Sequence, residues 1–393
     1  MRIVVGVAGG IAAYKACEVV SRLVKAGHEV RVTMTPAAAQ FVAPLTFRAL
    51  SGHDVGMQSG DEPEGPISHV TLSHWAEAMV IAPATAALMA RLATGNPSEM
   101  VSLVYLGFRG PVVLAPAMEP EMWEHPRTQA NLRTLQQDGV HIVGPVYGRM
   151  ASGLEGWGRM AEPSDVVDAL DDVTAPKDLT GLRLVITAGA TWEYFDPVRL
   201  LTNPSTGLMG VMLANQAARR GASVTLVAGP TATHPLHPAV EKRSVVSARE
   251  MLDAVSAAMP QANVLIGAAA VSDFRPAERL DQKAHKEAVG LSWNMERNPD
   301  VIRIMAEQYR GQKLLIGFAA ETENALEQAA KKRAAKGLDA VVANFVGDGQ
   351  GFGEGLHQAW LVTESGVQAL EGSSKTLTAT QILDWIRNQT KGA

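Results

Sequence analysis

IVVGVAGGIAAYKA, residues 3–16, passes from a strand to a helix through a single turn. Ile3 to Ala8 is a short, β-branched, apolar run, Gly9 and Gly10 form the turn, and Ile11 to Lys25 reads as a helix. A short apolar run bounded by Gly reads as a buried parallel strand. The pattern repeats in GHEVRVTMT (27–35), AEAMVIAPA (76–84), GPVVLAPAM (110–118) and GVHIV (139–143), with helical stretches between them. This alternation predicts βαβ units with right-handed crossovers.

Around residues 171–181, DDVTAPKDLTG, the pattern dissolves into charge, Pro and Gly, which reads as a linker. It restarts with LRLVITAGA (182–190), a helix from Gly207 to Arg220, and ASVTLVAGP (222–230). NVLIGAAAVSDF (263–274), KLLIGFAAET (313–322) and DAVVANFV (339–346) follow. QAWLVTESGVQAL (358–370) reads as an antiparallel hairpin, and Thr378 to Asn388 as a terminal helix. A chain of 393 residues is too long for one ordinary core. The expectation is two α/β domains, 1–172 and 183–393, joined by a linker at 173–182.

The formal charge of −5 leaves no electrostatic footprint for nucleic acid, so any anion must be held by locally placed cations. Cys17 is the only cysteine, which excludes an internal disulfide framework and a multi-cysteine zinc site. No apolar run reaches the roughly 20 residues of a membrane-spanning helix. The N-terminus enters a strand directly, without the pattern of a secretory signal. The expectation is a cytoplasmic protein with no nucleic-acid or membrane partner. Neither half carries a Walker A motif or a strict G-x-G-x-x-G, so phosphate binding must rest on helix N-termini and backbone amides.

In the second half, Lys332 and Lys336 are four apart on a helix and share a face, where like charges repel. They read either as cations that complement the helix C-terminus, with Gly337 ending it, or as a site for polyphosphate. RNPDVIRIMAEQY (297–309) opens a helix with Asn298 as N-cap and Pro299 as first residue. IGAAAVSDFRP (266–276) ends a strand in small residues, Gly267, Ala268 and Ala269, that let a ligand approach the backbone, with Asp273 beyond as an acceptor. DQKAHKEAV (281–289) is a basic loop with Lys283, His285 and Lys286, or simply a solvated charged one. TAGATWEYFDPVRLLTNPSTGLMG (187–210) is a long, polar, Gly-rich loop that opens a helix, where Asn203, Ser205 or Thr206 either cap it or touch substrate.

These segments, TAGAT, DPVR, TNPSTGLMG, AAAVSDFR, KAHK, RNPD, GFAAET and ANFV, come in the order found in phosphopantothenate–cysteine ligases, and Leu182 to Asn388 resembles that family. The resemblance implies activation of the 4′-phosphopantothenate carboxylate by CTP, giving an acyl-cytidylate and pyrophosphate, after which cysteine displaces CMP. It implies a cytidine pocket at Gly267 to Ala269, Asp273 and Phe318. It places a nucleotide-facing helix start at Pro299, Asp300, Val301 and Ile302, and triphosphate cations at Lys332 and Lys336. Lys283 matches the first lysine of the family's K-x-K-K loop, with His285 departing at the third position. Asn203 matches the asparagine that handles the acyl intermediate, and Mg²⁺ is implied by the triphosphate chemistry.

In the first half, Met118 and Glu119 end a strand in VVLAPAMEPEMWEHP (112–126), and His69 and His74 flank a helix with no evident third metal ligand. MASGLEGWGRM (150–160) is a Gly-rich loop, a spacer or a flap. This half resembles the FMN-dependent cysteine decarboxylases, and more narrowly phosphopantothenoylcysteine decarboxylase. The whole chain resembles the fused, bifunctional coenzyme A biosynthesis proteins. The resemblance implies a flavodoxin-like flavoprotein domain followed by a second Rossmann-like domain. It implies FMN held at Gly9, Gly10, Ile11, Thr35 and Thr85, and makes residues 150–160 a substrate flap. It also implies flavodomain trimers and ligase dimers, together a dodecameric homo-oligomer.

The family's histidine matches His69, but three positions depart. The asparagine that holds the substrate carboxylate aligns with Glu119, the flap cysteine that donates a proton aligns with Ser152, and the flavin-phosphate serine or threonine aligns with Ala8. A hydroxyl is a far weaker acid than a thiol with a pKa of about 8.5. An ionised Glu119 would repel a carboxylate, whereas a protonated one would donate a hydrogen bond as asparagine does. The expectation is a variant decarboxylase acting through Ser152 or a water it orders. The alternatives are a silent flavodomain serving as an oligomerisation scaffold, or a ligase for a different acid.

Overall fold

Ile3, Val4, Val5 and Val7 are fully buried, and their alternation sends them into different cores. Ile3, Val5 and Val7 pack with Ala13, Val20, Val166 and Leu170, whereas Val4 packs with Leu88, Val101 and Leu135 on the other face. A strand apolar on both faces needs helices on both sides, and the computed structural model supplies them. It describes residues 1–57, 69–284, 293–347, 358–371 and 374–390. The chain divides into two compact units, Met1–Ala175 and Pro176–Ala393.

In the first unit, β1 (Arg2–Val7), β2 (Glu29–Met34), β3 (Ala78–Ala84), β4 (Val112–Pro116) and β5 (His141–Ile142) form a parallel sheet of order β2-β1-β3-β4-β5. This is the flavodoxin-like order, with its switch point between β1 and β3. The first helix starts at Ala13 rather than Ile11 and buries Ala16, Val19, Val20 and Leu23, an i, i+3, i+4, i+7 stripe. Burying an aliphatic side chain of that kind contributes about 1.5–3 kcal/mol. A separate antiparallel hairpin, β6 (Val146–Arg149) and β7 (Glu155–Arg159), follows the sheet.

The second unit comprises β8 (Arg183–Ala188), β9 (Glu193–Tyr194), β10 (Leu200–Leu201), β11 (Ser223–Ala228), β12 (Val240–Ser244) and β13 (Val264–Gly267). Next come β14 (Phe274–Pro276), β15 (Met295–Arg297), β16 (Leu314–Glu321), β17 (Ala340–Phe345), β18 (Ala359–Thr363) and β19 (Val367–Leu370). Its main sheet has the order β12-β11-β8-β13-β16-β17-β18-β19. The first six strands, parallel throughout, reproduce the Rossmann order, with the switch point between β8 and β13. The expected hairpin adds β18 and β19 antiparallel. The edge strand β12, VEKRS, carries no apolar run and was not legible, since its charged Glu241, Lys242 and Arg243 suit an edge that must resist further pairing.

The stretch read as a linker is largely built into structure. Val173 and Thr174 end the helix Pro163–Thr174, and Leu179 is completely buried in the second core. Its charges are used: Asp178 accepts from Arg220 Nε and Nη2, both at 2.8 Å, and from Arg387 Nη1 at 2.9 Å. Arg220, only 3% exposed, also pairs with Asp384 at 2.8 Å. Asp178 thereby ties the entry of the second unit to its terminal helix, Lys375–Thr390, which is longer than the predicted 378–388. Among the described residues no helix is long and apolar enough to cross a membrane.

The hydrogen bonds from Arg220, reinforced by Arg387, hold the Asp178 carboxyl at about 2, below its ordinary 3.8. A depressed carboxylate stabilises the folded state fully above the unfolded value, and that contribution is lost as pH falls. The second unit should therefore lose about 2 kcal/mol between pH 4 and pH 2 that an Asp178→Asn variant lacks. At pH 7 that variant, which leaves two guanidinium groups short of a counter-charge, should be destabilised by about 3 kcal/mol. Urea unfolding across this range checks both, and identical pH profiles for the two proteins would contradict the assignment.

Candidate functional sites

Each unit gathers polar side chains at the switch point of its sheet. In the second unit, a cavity of about 150 Å³ opens between the ends of β8 and β13. Gly267, Ala269 and Asp273 line it from β13 and the turn beyond, and Pro299 to Ile302 from the start of the helix Val301–Tyr309. Phe318 lines it from β16, and Lys332 and Lys336 from the helix Ala325–Lys336. A second compartment of about 300 Å³ shares Ala269, Asp273, Phe318 and Lys332 with the first. It continues past Ala268 to Ser205, Thr206 and Gly207. Ten of the twelve residues expected around a nucleotide thus line one cavity and Ala268 lines its neighbour, whereas Lys283 is exposed and lines neither.

The lysine pair is more constrained than its spacing suggested. Lys336 makes an ion pair with Asp300 at 2.5 Å, and Lys332 Nζ donates to the Phe318 carbonyl at 2.6 Å. Burial, aided by the like charge of Lys336, pushes the Lys332 ammonium below its ordinary range, while Asp300, Glu321 and Asp273 oppose the shift. The helix does end at Gly337, with a left-handed φ of 67°. The N-cap at 298 does not form. Asp300 takes that role, its Oδ1 accepting from the Arg303 amide at 3.2 Å, and the helix begins at Val301. Asn298 instead bridges the turn, donating from Nδ2 to the Ser272 carbonyl at 2.9 Å and accepting from Arg275 at 3.2 Å.

The long loop 187–210 is partly ordered into the β9–β10 hairpin. Asn203 Nδ2 donates to the Ala270 carbonyl at 3.2 Å, beside the second compartment. Gly207 is the N-cap of the following helix in a left-handed conformation, φ 76°, while Thr206 Oγ1 accepts from the Leu208 amide at 3.5 Å and Ser205 Oγ from the Gly207 amide at 3.3 Å. A side chain on Gly207 would meet Ala232 and the Gly189 amide within 3 Å, so only glycine lets the helix start lie this close to the sheet.

Two buried acids escaped the sequence reading. Asp196, fully buried, accepts from the amides of Val198 and Arg199, the Arg199 guanidinium and the Ala284 amide, at 2.8–3.2 Å. Burial disfavours its charge, but these donors hold the carboxyl below its ordinary value. Arg199 also donates to the Ala284 carbonyl, so the DPVR turn anchors the Lys283 loop at the buried Ala284. His285 and Lys286 lie outside the described residues. Glu193, 4% exposed, accepts from the Ala248 amide at 2.9 Å, and burial raises its carboxyl. The signal for Asp196 was present in the Asp-Pro turn, since an Asp commonly accepts from amides two and three residues on.

In the first unit, Gly9, Gly10 and the exposed Ile11 follow β1, and Thr85 follows β3, on either side of the switch point. Thr85 Oγ1 accepts from Leu88 N at 3.3 Å, and Thr35 Oγ1 from Ala38 N at 3.2 Å. Acceptance leaves each hydroxyl a proton to donate. Gly9 sits directly against the backbone of Ala37. Ala8 is buried and apolar, packed with the second core cluster of its unit. His69 opens the helix His69–Trp75 and His74 lies five residues on, about 140° around it, so the two do not share a face. Among the described residues no group of three or more His, Cys, Asp and Glu could hold a metal.

The stretch 150–160 is not an open loop. Its second half is β7, and Tyr147 packs edge-on against Trp157 with ring centres 5.9 Å apart. The hairpin lies on the turn after β4, where the Met118 amide donates to the Gly158 carbonyl at 3.0 Å. This contact brings two of the departing residues together, as Ser152 Oγ donates to Glu119 Oε2 at 2.7 Å. Glu119 is the N-cap of the short helix Pro120–Glu124, yet its carboxylate makes no cap bond and reaches the flap instead.

Two doubly wound units in series, each with its polar residues at the strand-order reversal, define a tandem α/β chain built to hold small molecules. Residues 1–175 match the family model Flavoprotein, and 179–390 match DNA/pantothenate metabolism flavoprotein C-terminal domain. The coenzyme A biosynthesis bifunctional protein CoaBC of Haemophilus influenzae is 42% identical over 387 residues, covering 98% of this chain and 96% of that one. Its counterpart from Mycolicibacterium smegmatis is 43% identical over 401 residues, covering 98% and 97%. A crystal structure of the C-terminal domain of a CoaBC protein covers 55% of this chain and 100% of its own, at 36% identity and a TM-score of 0.47. The chain belongs to the family of bifunctional coenzyme A biosynthesis proteins.

A Cβ at position 158 would overlap the Met118 carbonyl. Gly158→Ala should lift the hairpin from the turn and expose the exposed Arg149 further to protease. Tryptic cleavage after Arg149 is expected to accelerate several-fold, and an unchanged rate would show that the hairpin does not depend on this contact.

Proposed function

We propose that the second unit ligates 4′-phosphopantothenate to cysteine at the expense of CTP, and that the first decarboxylates the product to 4′-phosphopantetheine. The observation that carries the ligase assignment is the convergence of the cavity residues at the β8/β13 switch point in a chain with full-length relatives of this family. The small residues Gly267 to Ala269 give the cytidine a flat approach to the backbone, and Asp273 and Phe318 flank it. Binding phosphate between Lys332 and Lys336 offsets their mutual repulsion. Asn203, bonded to the Ala270 carbonyl, stands beside the second compartment, where it orients the acyl intermediate. Mg²⁺ belongs to this reading through the phosphate oxygens, with Asp273 the carboxylate that lines both compartments.

In the first unit, the Gly9–Gly10 turn and the donor hydroxyls of Thr35 and Thr85 fit the phosphate of FMN, although Ala8 contributes no hydroxyl. FMN when bound supplies the oxidation and reduction at the thiol-bearing carbon. The chain itself supplies the closing hairpin, with His69, Glu119 and Ser152 as the reactive side chains. Because Ser152 gives its only proton to Glu119, the two act as one proton-holding unit in place of separate carboxylate-binding and acid groups. Ligase dimers and flavodomain trimers complete the proposal.

Purified protein should release pyrophosphate only with both CTP and 4′-phosphopantothenate, and no such release would overturn the ligase reading. It should carry a flavin absorbance and release CO₂ from 4′-phosphopantothenoylcysteine. A flavin spectrum without CO₂ would leave the first unit a scaffold. Asn203→Ala should let pyrophosphate form while the amide product falls at least tenfold. Normal amide formation would remove Asn203 from the mechanism.

A further inference from the structure

Glu193 lies in β9 and lines neither compartment of the cleft, yet it is buried. Its Oε1 accepts from the amide of Ala248, the first residue of the helix Ala248–Ala258. That bond leaves most of the acceptor capacity of a carboxylate unused. Burial raises the carboxyl, and hydrogen bonds from the Ala248 amide, Thr191 and Asn298 oppose the rise. Three donors from three separate segments thus converge on one buried acid.

Two of those donors lead to the same place. Thr191, completely buried, accepts from the Ser272 amide at 3.0 Å through Oγ1, so its single hydroxyl proton goes to Glu193. The Thr191 backbone is itself fixed, donating to the Ala270 carbonyl at 3.3 Å and accepting from Thr202 Oγ1 at 2.9 Å. Asn298 Nδ2 donates to the Ser272 carbonyl at 2.9 Å, and the Asn298 backbone amide donates to the Asp273 carbonyl at 2.8 Å. Both backbone groups of Ser272 are therefore held by side chains that Glu193 orients. Ser272 and Asp273 line the nucleotide cavity, and Asp273 lines the second compartment as well. A carboxylate suits this hub because it only accepts, whereas an amide in its place would turn hydrogens toward one of the three donors.

We propose that Glu193 is a positioning residue for the nucleotide site. Through Thr191 and Asn298 it fixes the Ser272 backbone and so sets where Asp273 stands in the cavity. The inference rests on the ligase reading of that cavity. A residue that only stabilised the fold would affect Tm and the active fraction, and with it the apparent kcat, but not CTP affinity.

The test uses the full-length protein and the variants Glu193→Gln, Thr191→Val and Thr191→Ser. CTP binding is measured by calorimetry, and KM and kcat by pyrophosphate release. Glu193→Gln should weaken CTP binding and raise the CTP KM roughly tenfold, by more than any fall in kcat. Thr191→Val should act in the same direction, and Thr191→Ser, which keeps the hydroxyl, should retain wild-type affinity. A folded Glu193→Gln protein with wild-type CTP affinity and KM, and only Tm or kcat lowered, would overturn the proposal. If Glu193→Gln does not fold, the Thr191 pair decides, and equal CTP affinity in Thr191→Val and Thr191→Ser would overturn it. A wild-type protein that binds CTP but forms no pyrophosphate would overturn the ligase reading instead, and calorimetry on the variants would still decide whether Glu193 places the nucleotide turn. A wild-type protein that binds no CTP would overturn both.

Discussion

In both units the central strands are apolar on two faces, so helices must cover the sheet on both sides, and polar side chains gather chiefly at the strand ends. Where the chain reverses its direction of winding, two neighbouring strands send their crossovers to opposite faces and leave a crevice between them. That crevice lies between β1 and β3 in the first unit and between β8 and β13 in the second. The residues proposed to touch substrate are distant in sequence, from Asn203 to Lys336 in the second unit, yet most of them follow strands or open helices at that edge, and Lys332 and Lys336 reach it from the later turns of the helix Ala325–Lys336. The site is a consequence of where an apolar sheet permits polarity.

The first unit shows how departures from a family pattern become intelligible in space. Taken singly, Glu119 introduces an acid where an amide is expected, and Ser152 removes the thiol. Together they are a donor and an acceptor 2.7 Å apart. A hydrogen bond to a charged group contributes about 1.5–3 kcal/mol when sheltered. Ser152 is exposed, so its bond is worth less than that and suits a contact that must open for substrate. The backbone contact from Met118 to Gly158, where Gly158 is buried, is the firmer attachment of the hairpin.

What could be read from the sequence follows from how local each signal is. The β1 and β8 strands, the helices after them and the hairpin β18–β19 were legible because apolar periodicity and Gly punctuation are properties of neighbouring residues. The edge strand β12 was not, because its neighbours in space decide its conformation rather than its own composition. The N-cap of the helix Val301–Tyr309 was misplaced by two residues for a related reason. Asn298 and Asp300 are both good caps, and the bonds of Asn298 to Ser272 and Arg275 settle the competition. The charged stretch around Asp178 looked like a spacer because its partners, Arg220 and Arg387, lie 42 and 209 residues away.

The same distinction governs the cleft's electrostatics. From spacing alone, Lys332 and Lys336 were either complements of the helix C-terminus or a site for polyphosphate. In the structure they are already balanced, one by a carboxylate and one by a carbonyl. An incoming polyphosphate must therefore displace or share those bonds, and its net gain there is smaller than two bare charges would give.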